Sequence, residues 1–165
     1  MASKGKQATQ QRQVSASCME YLHMEMVRHV VQSSSGLSDE AMYVKLENLG
    51  FEVGRRLAEL YTTERRKFKD NLEIIKFICK EFWTEVYRKQ IDNLRTNHRG
   101  VFVLHDNKFN WLQHLSATQG SKEVQNYIVF PCGMIRGALA GLGLACIVNA
   151  DCSNFSTCIF TIKIK

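Results

Sequence analysis

Apolar residues return at steps of three and four through the first two-thirds of the chain, and at steps of two near its end. From about Ser17 to Gln32, Met19, Leu22, Met26 and Val30 form one stripe, widened by Val27, and predict a first helix. Ser33-Ser34-Ser35-Gly36 ends it. A second helix is predicted from Ser38, where Asp39 and Glu40 suit the positive helix N-terminus. Its stripe is Met42, Leu46, Leu49, Val53, Leu57 and Leu60. Gly50 and Gly54 lie beside that stripe, and each costs about 1 kcal/mol against alanine inside a helix. Close approach of another backbone would offset the cost, either from within the chain or from a second protein. A third helix is predicted from about Asp70 to Leu94, with Leu72, Ile75, Cys79, Phe82 and Val86 on one face.

The period then changes to two. Val101–Leu104 and Phe109–Leu112 flank Asp106-Asn107 and predict a hairpin. Cys158, Phe160, Ile162 and Ile164 alternate with polar neighbours in a half-buried last strand, which Ala145–Val148 can pair through a turn near Asp151–Ser156. Between these lies Tyr127–Val148, apolar for about a membrane's thickness. Arg136 near its middle costs about 2.5–3.5 kcal/mol on insertion scales, and its four glycines add little hydrophobicity. A central helix of a soluble protein, with small residues on its packed face, is the better reading.

Composition narrows the function classes. The net charge is +6, but Lys4, Lys6 and Arg12 carry half of it in a tail, 1–16, that has almost no apolar residues and is expected to be disordered. The rest is mildly basic, without the dense stripe a nucleic-acid surface needs. Six cysteines, none in CxxC spacing and most in apolar runs, read as reduced thiols of a cytosolic protein rather than as metal ligands. No phosphate-cradling glycine loop and no GxSxG are present, and the five histidines are scattered. On residues alone, the chain is one soluble α/β domain (17–165), no enzyme, without metal or cofactor, and an interaction module.

Three stretches carry a resemblance. Leu46-Glu-Asn-Leu-Gly-Phe-Glu-Val-Gly54 resembles the second-helix signature of the Bet-three superfamily of TRAPP small subunits. Cys132-Gly-Met-Ile-Arg-Gly-Ala-Leu139 resembles its C-terminal helix motif. Ile74–Trp83, Lys89–Gly100 and Asp106–Phe109 look like the narrower subunit-six, or Trs-thirty-three, branch. The resemblance covers about Cys18 to the C-terminus. It implies an α+β fold of about four main helices on a twisted four-stranded antiparallel sheet. It also implies a non-catalytic scaffold subunit of the TRAPP tethering complex. That complex is an exchange factor for Rab GTPases of the Ypt type in ER-to-Golgi and Golgi transport, so peripheral membrane contact at most is expected.

In this family the first two helices meet a Bet-three-type subunit. The expected partner face is therefore Leu22, Met26 and Val30 with Leu46, Leu49, Gly50, Val53, Gly54 and Leu57. Arg65, Arg66, Lys67, Lys69, Arg88, Lys89, Arg95 and Arg99 form a second candidate surface, toward acidic lipid or an acidic partner, set against an ordinary solvated surface. One departure matters. Bet-three itself carries an acylated cysteine after the second helix, and residues 62–71 here contain none. Acylation is not carried over. The runner-up function is a small-molecule or lipid-binding module of the same superfamily, and a thiol enzyme stands third.

Overall fold

The computed structural model describes residues 15–65, 67–97, 99–115, 121–152 and 156–165. Residues 1–14, Arg66 and His98 lie outside these, and so does most of the expected tail. The first helix, α1, runs Ala16–Ser33 and the second, α2, Asp39–Thr62. Ser38 caps α2, its hydroxyl accepting the Ala41 amide, while Asp39 and Glu40 occupy the first turn. The third helical rod comprises α3 (Asn71–Phe77), a π-helical segment (Ile78–Phe82) and α4 (Trp83–Tyr87). Asp70 caps its start through the Glu73 amide. The last helix, α5, is Ser121–Gly141. The strands are β1 (Asn93–Thr96), β2 (Val101–Asp106), β3 (Cys146–Asp151) and β4 (Cys158–Ile164). They form one antiparallel sheet in the order β1-β2-β4-β3.

Two departures from the pattern sit together. The third rod stops at Tyr87 rather than Leu94, because Arg88 takes the left-handed conformation (φ 60°). The freed residues 93–96 become β1, so the first hairpin is β1–β2. Phe109–Leu112, expected as its second strand, instead turns as a 3-10 segment at Asn110–Leu112. Asp106 explains the change. Its carboxylate is fully buried, and it accepts Trp83 Nε1 at 2.9 Å, Lys89 Nζ at 2.6 Å and the Lys108 amide at 3.1 Å. Asp92 accepts Lys89 Nζ at 2.9 Å and the Asn107 amide at 2.8 Å. The Asp106-Asn107 turn is thus tied back to the end of α4 and is not free to fold into a tight hairpin.

The last hairpin is as the alternation indicated. Val148 faces Ile162 and Ala150 faces Phe160 across β3–β4. Phe102, Leu104, Cys146, Val148, Cys158, Phe160 and Ile162 put the inner sheet face into the main core, together with Trp83, Tyr87, Phe109, Ile128, Ile135 and Leu139. A smaller cluster of Val27, Val30, Met42, Leu46 and Val129 joins α1 to α2 and α5.

The glycines are spent inside the chain. Helices α2 and α5 run side by side in the same direction, with Glu47, Phe51 and Arg55 meeting Gly133, Gly137 and Gly141. A Cβ on Gly50 would stand 2.1 Å from the Phe130 carbonyl oxygen, and one on Gly54 2.0 Å from that of Met134. Gly133 and Gly137 repeat the arrangement from α5, against the carbonyls of Glu47 and Phe51. Arg136 has its place in the same contact: its Nε lies 2.8 Å from a Glu47 carboxylate oxygen as an ion pair, and its guanidinium lies 4.7 Å from the Phe51 ring centre. Among the described residues, no helix is long and apolar enough to cross a membrane.

One cysteine expectation is corrected. Cys152 and Cys158 are paired as a disulfide across the mouth of the β3–β4 hairpin, where antiparallel pairing brings their Cα atoms to 4.5 Å. Cys18, Cys79, Cys132 and Cys146 are free thiols.

Candidate functional site: an apolar face on the first two helices

Helix α2 carries two adjacent apolar rows. Met42, Leu46, Gly50, Gly54 and Ala58 repeat every four residues and are buried within the chain. The next row, Leu49, Val53, Leu57 and Leu60, points away from that contact. Leu49 is 45% exposed, Val53 37% and Leu60 65%, while Leu57 is half-buried. On α1, Leu22 is 61% exposed and Tyr21 55%, with Met19 also open. Met19 of α1 and Val53 and Leu57 of α2 meet at a cleft of about 290 Å3, lined also by Val86 from α4 and by Trp111.

The expected partner face is therefore divided. Leu22, Leu49 and Val53 stand open to solvent; Met26 and Leu57 are half-buried. Leu46, Val30, Gly50 and Gly54 are corrected to the chain's own core. Sequence periodicity joined the two rows because they are only one residue apart on the helix. The glycine spacing was the signal that could have separated them, since only the buried row carries it.

The floor under α1 is aromatic. His23 is buried, its ring 4.7 Å from that of Trp111 and 5.4 Å from that of Phe130. Burial pushes its pKa down to about 4, partly offset by the backbone of Tyr127. Among the described residues, no hydrogen bond of good geometry reaches either ring nitrogen. Pro131 bears on this contact, because it lacks the N–H that would bond the Tyr127 carbonyl four residues back. One turn earlier, Glu20 contacts His114 Nε2 at 2.6 Å and Tyr21 stacks on the His114 ring at 5.0 Å. The segment Trp111–His114, of which Trp111 and Leu112 were expected to end a strand, is thus the seat of α1.

The second candidate surface is not a set of free cations. Lys89 is committed to Asp106 and Asp92; burial opposes its charge, but the two carboxylates outweigh it and raise its pKa. Arg65 pairs with Glu81 and lies over the Phe68 and Phe77 rings. Arg88 lies 3.8 Å from Glu85. Lys67, Lys69, Arg95 and Arg99 are exposed.

The buried thiols do not resemble nucleophiles. Burial pushes Cys79 and Cys132 up to about 12, and Cys146 up to about 11, so each is a protonated thiol at neutral pH. Among the described residues, no three His, Cys, Asp or Glu side chains group to hold a metal ion.

Comparison with known proteins gives this face a context. Residues 19–165 match the family described as "Transport protein particle (TRAPP) component". The chain is 48% identical over 147 residues to the trafficking protein particle complex subunit 6B of Homo sapiens, covering 87% of this chain and 93% of that protein. It is 46% identical over 148 residues to subunit 6b of Danio rerio, covering 88% and 94%, and 39% identical over 150 residues to human subunit 6A, covering 88% and 94%. Among solved structures, a trafficking protein particle complex subunit 3 from Naegleria fowleri, covalently bound to palmitic acid, superposes with a TM-score of 0.73 at 16% identity. That superposition covers 92% of this chain and 97% of that one.

Proposed function

The chain belongs to the TRAPP component family, with subunit 6 proteins as its relatives, and we propose that it is a non-catalytic scaffold subunit pairing with a Bet-three-type subunit through α1 and α2. The complex so built acts as a Rab/Ypt exchange factor and vesicle tether in ER-to-Golgi and Golgi transport. On this reading the protein is cytoplasmic and reaches cis-Golgi and ER membranes peripherally. It meets the GTPase only through the assembled complex.

One observation carries the reading. Helix α2 places a complete apolar row against the chain's own core and still leaves a second row, Leu49 and Val53, open to solvent, while α1 leaves Leu22 open and sets Met19 in one cleft with Val53. The chain's own packing leaves Leu49 and Val53 open, and exposed apolar side chains of this kind are what a protein partner buries. The protein with which the fold superposes is itself a TRAPP subunit, so a partner of matching architecture is available. The palmitate of that structure does not come over: residues 62–71 offer no cysteine for it.

Affinity purification of the tagged chain from cell extract tests the reading. TRAPP subunits, a Bet-three-type subunit foremost, are expected in the eluate at comparable abundance to the bait. An eluate without them would end the proposal.

A further inference from the structure

Cys152 follows β3 directly and Cys158 opens β4, so their bond closes the hairpin at its mouth. The two sulfurs differ in access: Cys158 is fully buried in the main core, beside Asp106 across the sheet, and Cys152 is half-buried at its edge. Two residues inside the closed ring grip the neighbouring chain. The Phe109 amide donates to the Ser156 carbonyl at 2.8 Å, and the Thr157 hydroxyl donates to the Asn107 carbonyl at 3.2 Å. Ser156 holds the left-handed conformation (φ 67°), which a residue other than glycine keeps only when its surroundings impose it. The gripped segment continues into Trp111 and His114, the seat of His23, Tyr21 and Glu20 of α1. The pair is therefore joined by a short series of contacts to the base of the apolar face.

We propose that Cys152 and Cys158 form a reversible thiol–disulfide couple that exchanges with small disulfides of the glutathione class, and that closing it steadies the segment on which α1 rests. Access sets the order of steps. The Cys152 thiolate attacks a sulfur of oxidised glutathione, forming a mixed disulfide and expelling one glutathione thiolate. Cys158 then loses its proton, attacks the Cys152 sulfur and expels the second glutathione. The chain is oxidised by two electrons and one glutathione disulfide is reduced to two thiols. Reduction runs the same steps backwards, entering at Cys152. The free thiols Cys79, Cys132 and Cys146 are buried and take no part.

The test equilibrates the full-length chain in reduced and oxidised glutathione mixtures, quenches with acid, and alkylates under denaturing conditions before peptide mass spectrometry. Cys152 and Cys158 are expected to lose alkylation together as the mixture becomes oxidising, joined to each other and free of glutathione, while Cys79, Cys132 and Cys146 stay alkylated. Full alkylation of both in the most oxidising mixture, or Cys152 left as a stable mixed disulfide, would overturn the couple. Hydrogen exchange on the same samples reads the brace. The Phe109 amide and the Trp111–His114 segment should exchange severalfold more slowly in the oxidised chain, and C152S should show no such dependence on the mixture. Equal exchange in the two states of the wild-type chain would overturn the brace.

Discussion

At the scale of single residues, the glycines of α2 and α5 make the sharpest demand. Gly54→Ala would set a methyl group against the backbone of Met134, which cannot move as a flexible side chain can. A loss of about 3 kcal/mol or more in chemical denaturation is expected, at the upper end of overpacking costs. Gly141→Ala meets the flexible Arg55 side chain at 3.3 Å and its backbone only at ordinary contact distance, 3.5 Å, and should change stability by less than about 1 kcal/mol. His23 predicts a pH dependence. Its folded pKa of about 4 lies below the unfolded 6.5, so between these values the unfolded chain holds more of the proton. Stability is therefore full above pH 6.5 and falls as pH drops toward 4, by roughly 3 kcal/mol in all. Denaturation midpoints across that range should show this fall for the wild type and a shallower one for His23→Phe; parallel curves would remove His23 as the cause. Little of this was legible beforehand. The spacing of the glycines and histidines was visible, but which backbone or ring each would meet depends on contacts between distant segments.

At the scale of elements, periodicity gave α1, α2 and the β3–β4 hairpin close to their observed limits, because each is built on a regular apolar face, whereas α5 was expected only from Tyr127 and begins at Ser121. Periodicity failed on either side of β2, at Arg88–Thr96 and at Phe109–Leu112, for an identifiable reason. There the chain follows a buried ion pair, Lys89–Asp106, and its Trp83 hydrogen bond rather than a hydrophobic repeat. The same pair accounts for the misreading of Lys89 as a surface cation. Breaking it leaves the fully buried Asp106 carboxylate without its cation, so Lys89→Ala should destabilise by about 3–5 kcal/mol. Thermal melting of the variant checks this. A melting temperature within a degree of the wild type would mean that Lys89 is the surface charge first expected.

At the scale of the whole molecule, the fold class and the family were legible in the sequence. The α2 and α5 motifs and the branch-specific stretch survive as local patterns, and the family match over residues 19–165 agrees with them. The candidate site was legible only as a pair of helices. A stripe read from one chain cannot say which side faces inward, and the structure assigns Leu46, Val30 and the two glycines to the interior while leaving Leu22, Leu49 and Val53 outside. The central claim is that this outer row joins the chain to a TRAPP subunit. Its most direct test is co-purification of the L49R/V53R double variant with a co-expressed Bet-three-type subunit, with circular dichroism to establish that the variant is folded. The account predicts a folded variant whose partner recovery falls at least tenfold, with Leu46→Arg failing instead by unfolding. A folded L49R/V53R chain that recovers its partner as fully as the wild type would contradict it.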